Sequence, residues 1–594
     1  MNTPLLLPVP KTAEFKAHGR EVPASWNYEF AKDASPRLIA AVARVLGTHC
    51  ANGYPLRFKT NTSLSSQAYT LHLDLECGEI VSSDELGAWN ALLTLKQLID
   101  QPDGQMALGA ISDSPSIAAR GVMLDISRCK VPTQATLYQL VDQLVAFKVN
   151  EIQLYTEHTF AYAGHEIVWG DASPVTPEQI RALDKYCHDR FVELVPNQNC
   201  FGHFERWLRH PEYHHLAESP GGFEFRWGGR SSCGTTLKPD AQSLAFVDGL
   251  MKDLLPNFSS DKFNVGCDET WELGLGATRA RCEAEGKHHV YLDFLKQIFG
   301  LAIKHGRKPQ FWADILLEDP ELISELPKNV TGMIWGYEAS EPFGKHCARF
   351  VQTGASFYVC PGTSSWNTIG GRLDNALANL QCAANEGAKH GAAGYLITDW
   401  GDGGHHQQLP ISQPGFVAGA ALAWNPQNFT ETLLQNALSH WLYKDKSGNI
   451  AKTLFALGRL PNLFAHKPVN RACLNNMLFS TTEGIDGALK HFELSELKTA
   501  IETLDAASAT LANATPTCTD HALLREELSV TIGLLRHAAS RAWHHKQGEL
   551  ARSTALRKEL IPLIGRYEAC WVARNRTGGL HESSDRLRHV LNKL

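Results

Sequence analysis

Apolar and polar positions alternate along residues 67–75, QAYTLHLDL, as in a half-buried strand. The following GEIVSSDELGAWNALLTLKQLI reads as a short strand and then a helix, with Leu86, Leu92, Leu93 and Leu98 among its apolar positions. QPDGQMALGAISDSPS then loses periodicity and gathers Gly, Pro, Ser and Asp, the composition of a linker. Residues 1–115 are therefore expected to form a small mixed α/β domain.

The pattern changes over 116–428. Eight short apolar, β-branched runs recur: RGVMLDI (120–126), EIQLYT (151–156), FVELVP (191–196), FNVGC (263–267), PQFWA (309–313), TGMIW (331–335), SFYVC (356–360) and GYLITD (394–399). None shows the strict in/out alternation of a sheet with one wet face, which suits parallel strands covered on both sides. Amphipathic helices lie between them. Leu137, Leu140, Val141, Leu144 and Phe147 share one face, and Thr176-Pro177-Glu178-Gln179 spells a helix start with a capping box. Eight strand–helix units over this length predict a (β/α)8 TIM barrel. An open doubly wound sheet competes, but the Gly-rich dinucleotide turn it often carries is missing after the first strand. Residues 429–594 lose the strands and show long helical patterns, with Leu524, Leu528 and Leu535 on one face, so a C-terminal α-helical domain is expected.

Composition narrows the classes. The 594 residues are 43% hydrophobic and 20% charged, with a formal charge of −7 from acidic and basic residues mixed along the chain. This fits a well-packed globular protein and argues against a nucleic-acid partner, which would call for a basic face. No apolar run approaches the ~18–20 residues that span a bilayer. The N-terminus, with Pro8 and Pro10 cutting a short apolar patch, lacks the features of a secretory signal, so a cytoplasmic location without membrane contact is expected. Fourteen cysteines are scattered without C-x-x-C pairs, which supports neither a disulfide framework nor structural zinc.

In such a barrel the chemistry sits at the C-terminal ends of the strands. The first strand is entered at Arg120 and exits at Asp125 and Arg128; the second ends at Glu157-His158, and the third leads to His203. The fourth ends with Asp268-Glu269, and the fifth gives Trp312 and Asp314. Trp335 and Tyr337 follow the sixth, Trp366-Asn367 the seventh, and Asp399, Trp400 and Asp402 the eighth. Aromatic faces mixed with charged groups suit a sugar. Asp268-Glu269 is the sharpest element. Consecutive residues of a regular strand face opposite ways, so both reach one pocket only if the strand ends or bends between them. Two close carboxyls should split into one acid and one anion, the pairing glycoside hydrolysis uses.

ARGVMLDISR, NVGCDE, FWAD, MIWGY and TDWGD, in this order on successive strands, resemble the signature segments of glycoside hydrolase family 20, the β-N-acetylhexosaminidases, in a divergent branch. The resemblance covers roughly residues 1–430. It implies a retaining exo-enzyme that releases terminal N-acetylglucosamine or N-acetylgalactosamine from β-linked oligosaccharides or glycoconjugates, with no cofactor. The substrate's acetamido oxygen attacks C1 and forms an oxazolinium intermediate. Glu269 is implied as general acid and then base, and Asp268 as the anion that orients the acetamido N–H. Arg120 is implied to bind ring hydroxyls, Trp312, Trp335 and Trp400 to wall the acetamido pocket, and Asp402 to contact the distal hydroxyls.

Departures from the family pattern bear on the substrate. The third-strand stretch reads PNQNCFGH rather than an acidic PE-x-D-x-PGH, and the second strand carries Thr156-Glu157 in place of an Asp pair, which leaves Glu157 as the partner for His203. Trp366-Asn367 replaces a Tyr-x-Asp element, with Tyr337 or Tyr358 as other donors to the acetamido oxygen. Epimer preference, oligomeric state and the role of the C-terminal helices stay open. His214-His215 and His544-His545 read as loop or surface, and His405-His406 as part of the substrate rim. Two rivals stand beside the glycosidase: a metal-dependent barrel hydrolase, which should show H-x-H where the first strand reads MLDIS, and a catalytically silent amino-sugar-binding protein on the same fold.

Overall fold

The computed structural model describes residues 4–32, 34–225, 228–481, 484–549 and 553–593. At the N-terminal end a six-stranded mixed sheet runs in the order Thr12–Phe15, Gly109–Asp113, Tyr69–Leu73, Gly78–Ser82, Tyr54–Thr60, Trp26–Glu29. Tyr69–Leu73 alternates buried and less buried residues as its pattern predicts. The stretch expected as a linker supplies a strand instead: Gly109–Asp113 pairs antiparallel with both Thr12–Phe15 and Tyr69–Leu73. Its only alternation, Ile111 buried between exposed neighbours, is too short to stand out among the flanking Gly, Pro and Ser. Helix Glu85–Ile99 is capped by Asp84, which accepts the Gly87 N–H at 2.7 Å. It is buried over most of its circumference because it is wedged between this sheet and the barrel, where Trp89 stacks on Phe191 at 5.3 Å.

Eight strands close a parallel barrel: β1 Ala119–Asp125, β2 Glu151–Thr156, β3 Glu193–Gln198, β4 Lys262–Asn264, β5 Lys308–Trp312, β6 Thr331–Trp335, β7 Ser356–Cys360 and β8 Gly394–Asp399. Each pairs in parallel with the next, and β8 closes on β1. The capping box at Thr176–Gln179 forms with both of its hydrogen bonds. The barrel interior is layered. Toward the N-terminal end it is polar, where Gln153 Oε1 accepts from Asn197 at 3.0 Å and Asn264 at 3.1 Å, and Gln153 Nε2 donates to Gln310 Oε1 at 3.0 Å. Toward the C-terminal end it is aromatic and apolar, with Met123, Tyr155, Trp312, Met333, Tyr358, Trp366 and Trp400 in one cluster. Burying amides in the first layer is tolerable because they bond one another.

Beyond the barrel the chain is helical, with Leu494–Ala512, His521–Lys546, Ser553–Arg574 and Leu580–Lys593 as its longer elements. These helices are bonded to the barrel rather than tethered beside it. Thr133 N–H donates to Arg574 O at 2.9 Å and Arg576 N–H to Val131 O at 2.8 Å. The fourteen cysteines are free thiols, and no helix of the described residues is long and apolar enough to cross a membrane.

Candidate active site

A cleft of about 880 Å³ opens at the C-terminal end of the barrel. A larger recess, about 1090 Å³, lies at the opposite mouth, but its central charges already satisfy one another: Lys262 reaches Glu151 and Glu193, each at 2.7 Å.

The cleft residues leave their strands through strained backbone. β4 stops at Asn264, and the chain then turns through Gly266 (φ 66°), Cys267 (φ 70°) and Glu269 (φ 49°). The left-handed steps bring Asp268 and Glu269 to the same wall, which regular strand geometry forbids. His203 (φ 57°), Asn367 (φ 54°) and Asp402 (φ 42°) are held in the same way. Gly202 makes the close approach possible, since a Cβ there would lie 2.3 Å from the Asp268 carbonyl oxygen.

His203 is the hub. Its Nε2 lies 3.2 Å from Asp268 Oδ2 and 3.5 Å from Glu269 Oε2, and its Nδ1 lies 3.7 Å from Glu157 Oε1. Burial alone would lower its pKa, but the Asp268 charge and hydrogen bond raise it to about 9, so the imidazole is a cation at neutral pH. Burial works against the Asp268 charge too, yet His203 and an Asn199 Nδ2 hydrogen bond of 2.7 Å hold that carboxyl below its usual range. Glu269 goes the other way. Burial, reinforced by the Asp268 anion and opposed by His203, lifts it to about 7. Two adjacent carboxyls are thus split into an anion and a group near half-protonation at neutral pH. His203, Asp268 and Glu269 also form a possible three-ligand cation site, with ligand atoms within 4.8 Å of one another; a metal there has to displace the imidazolium proton.

Aromatic rings line the deep part of the cleft. Trp335 stacks on Tyr337 at 5.2 Å, Trp366 meets Tyr337 edge-on at 5.1 Å, and Trp312 lies 6.0 Å from Trp400. Trp400 Nε1 donates to the Tyr337 hydroxyl at 2.8 Å. The indole N–H groups of Trp312 and Trp366 are enclosed without a hydrogen-bond partner, whereas that of Trp335 faces the Asp314 carboxyl. Buried donors of this kind call for an acceptor. At the other side Arg128 Nη2 pairs with Glu157 Oε1 at 3.1 Å, and Asn367 Nδ2 donates to Asp402 Oδ2 at 3.1 Å. Burial raises the Asp402 pKa, with Arg128 opposing.

Arg120 requires correction. It sits at the N-terminal end of β1, 1% exposed, with its guanidinium bonded to Lys148 O at 2.9 Å, Gln67 Oε1 at 3.0 Å and Ala118 O at 2.7 Å. A strand of seven residues places that end roughly 20 Å from the rim. Arg120 therefore joins the barrel to the N-terminal sheet, and Arg128, three residues past the strand, is the arginine in the cleft. His405 and His406 also lie outside the rim: both are buried, and His406 Nε2 meets Ser583 O at 3.0 Å beneath the last helix. Glu157, His203, Trp312, Trp335, Tyr337, Trp366, Trp400 and Asp402 line the cleft beside Asp268 and Glu269. Asn367 reaches it through Asp402, whereas Tyr358 bonds Glu151 at 3.1 Å, deeper in the barrel.

Sequence reasoning missed the cleft contribution of the C-terminal region. Asn470, Arg471, Glu582 and Arg586 all line it. Glu582 accepts both terminal nitrogens of Arg206. Arg586 Nη1 donates to Gly403 O at 3.0 Å and Ser583 Oγ to Gly404 O at 2.6 Å, which pins the loop that carries Asp402.

Residues 169–370 match the model of the glycosyl hydrolase family 20 catalytic domain. A β-hexosaminidase of Akkermansia muciniphila is 26% identical over 279 residues, 42% of this chain and 56% of its own length. Human hexosaminidase D is 26% identical over 333 residues, 52% of this chain and 66% of its own length. The matches to the first two β-hexosaminidases, from Akkermansia muciniphila and Porphyromonas gingivalis, span only 56% and 37% of those proteins. Among solved structures, the Flavobacterium johnsoniae chitobiase superposes over 98% of both chains with a TM-score of 0.60 at 16% identity, so the shared fold includes the C-terminal helices. The Vibrio harveyi exo-β-N-acetylglucosaminidase, solved with N-acetylglucosamine, covers 76% of this chain and 78% of its own with a TM-score of 0.58 at 18% identity. With relatives near 25% identity and this barrel, the chain is similar, as a distant homologue, to the β-hexosaminidases of glycoside hydrolase family 20.

Proposed function

We propose that the protein is a retaining exo-β-N-acetylhexosaminidase that works by substrate-assisted catalysis. The observation that carries the reading is the divided charge of Asp268 and Glu269 on one wall of an aromatic cleft. Glu269, near half-protonated at neutral pH, gives its proton to the leaving oxygen and takes one back from water. Asp268, held ionised by His203 and Asn199, accepts the acetamido N–H and stabilises the positive charge that grows as the amide oxygen attacks C1. Trp312, Trp335 and Trp400 enclose the acetamido group. Tyr337, whose hydroxyl accepts the Trp400 N–H and also bonds Thr398, meets the acetamido oxygen, in the role the sequence left between Tyr337, Trp366 and Tyr358. Arg128, Glu157 and Asp402 bind the distal hydroxyls.

Hydrolysis of paired aryl N-acetyl-β-glucosaminide and N-acetyl-β-galactosaminide tests this, with the anomer of the first-formed sugar followed by NMR. Release of the β-anomer with inhibition by a thiazoline analogue is the expected result. Release of the α-anomer, or no cleavage of either glycoside, refutes it. The His203, Asp268 and Glu269 grouping keeps a metal-dependent hydrolase as the second reading; loss of activity on chelation, restored by a divalent cation, would favour it.

A further inference from the structure

A third carboxyl stands behind the pair. Asp314 follows the end of β5 and opens the short helix Asp314–Glu318. Its Oδ2 accepts the backbone N–H of Glu269 at 3.1 Å. Its Oδ1 is enclosed, and the carboxyl faces the Trp335 indole N–H. Asp314 is not among the residues that line the cleft, so it acts on a substrate only through another group. The residue it bonds is in need of restraint. Glu269 has φ 49° and lies two residues past Cys267 at φ 70°, a conformation that L-residues with a side chain keep only when their surroundings impose it. An enclosed carboxyl acceptor on the N–H of that residue is such an imposition. Burial, with the Asp268 and Glu269 charges adding to it, pushes the Asp314 carboxyl well above the usual range.

We propose that Asp314 is the positioning residue for Glu269: by accepting its N–H it fixes the left-handed turn from which the Glu269 side chain reaches the leaving-group oxygen. The proposal rests on Glu269 being the acid and base of the reaction. It also assigns a role to the acidic position of FWAD, which follows the fifth strand two residues after Trp312 and does not line the cleft.

Three variants of the full-length protein test it. Asp314→Ala removes the acceptor, Asp314→Leu removes it while filling the space, and Asp314→Asn keeps a neutral carbonyl acceptor in place. Misplacing the acid should lower kcat on the order of 10–100-fold in the Ala and Leu variants. The loss should be larger for glycosides with poor leaving groups than for activated aryl glycosides, and KM should change little. Asp314→Asn should recover most of the rate. In a crystal structure of the Ala or Leu variant, φ at residue 269 should leave the positive region. Wild-type kcat in the Ala or Leu variant, an Asn variant as slow as they are, or an unchanged turn at residue 269 overturns the proposal. If the wild-type protein cleaves no N-acetyl-β-hexosaminide, the functional reading falls, and the backbone at residue 269 still decides the role of Asp314.

Discussion

Removing the charge of His203 while keeping its polarity, as in His203→Gln, should move the pH profile in a direction fixed by the geometry. The imidazolium Nε2 lies 3.5 Å from Glu269 Oε2. Two unit charges at that separation interact by about 5 kcal/mol at an effective dielectric of about 20. The Glu269 side chain is 33% exposed, so solvent screening reduces this to about 1–2 kcal/mol, or roughly one pH unit. With the cation gone, the Glu269 pKa should climb from about 7 to about 8. Asp268 loses the same support, and its pKa should rise toward the ordinary carboxylate range. The alkaline limb of kcat/KM, which reports Glu269 in the free enzyme, should shift up by about one unit, and the acid limb should shift up with it. Initial rates on a glycoside with a poor leaving group, taken across the full pH range, measure both limbs. An alkaline limb that stays in place or moves to lower pH refutes the electrostatic account. A limb near 9 in the wild type that disappears in the variant refutes it as well, because the limb would then belong to His203. Stability gives an independent check. The His203 pKa is raised from 6.5 to about 9, so the pair contributes fully below about 6.5 and its contribution fades as pH rises to about 9. Thermal melts of wild type and variant should converge at the alkaline end of that window.

Further substitutions separate the roles in the cleft. Glu269→Gln should lower cleavage of glycosides with poor leaving groups by about 10²–10⁴-fold and spare activated aryl glycosides, which need little protonation; equal losses on both count against the acid role. Asp268→Asn should slow both substrate kinds by about 10²–10³-fold, because the anion it removes acts on the sugar rather than on the leaving group, and unchanged steady-state rates would exclude that role. Gly202→Ala places a methyl group 2.3 Å from the Asp268 carbonyl oxygen, so the backbone must shift, and both kcat and the melting temperature should fall, by about 1–3 kcal/mol of stability; a variant as fast and as stable as wild type would show that the turn gives way at no cost. Glu582→Gln removes the charge that faces both terminal nitrogens of Arg206 and should cost about 1–3 kcal/mol of stability in denaturant titration, with no loss meaning that solvent replaces the pair.

The barrel was legible because its signal repeats: eight apolar runs separated by helical patterns leave few other topologies, and the strand ends then point to one rim. Strand limits were less so. β4 reads from sequence as 263–267, yet the ladder ends at Asn264 because Gly266 and Cys267 take left-handed backbone that periodicity does not encode. Asp268, Glu269, His203 and the tryptophans could be found because they follow strand ends. Arg120 was misplaced because one segment, RGVMLDISR, carries an arginine at each end of the same strand, and only the direction of the strand tells which one reaches the rim. Asn199 looked like a departure from an acidic motif, and only its 2.7 Å bond shows that it steadies the Asp268 anion. Arg471 arrives from a loop and Glu582 and Arg586 from a helix, all more than sixty residues past the last strand, a contact set by tertiary packing that no local pattern announces.

The difference between Asp268 and Glu269 cannot lie in the residues themselves, since they are adjacent carboxyls in one turn. It comes from what each one faces. Asp268 has two partners that favour its charge, the His203 cation and the Asn199 amide, and little access to water. Glu269 shares the cation at a longer distance, opens to the cleft, and has Asp268 as a neighbouring anion. A proton shared between them therefore settles on Glu269, the one that can reach a leaving group. The same logic extends one layer back. Burial and the two neighbouring carboxyls push the Asp314 pKa well up, which disfavours a third negative charge in the site while its Oδ2 still accepts the backbone N–H of the acid. If ionised Asp314 were instead required, Asp314→Asn would be the damaging substitution and Asp314→Ala no worse, an ordering opposite to the one this charge distribution predicts.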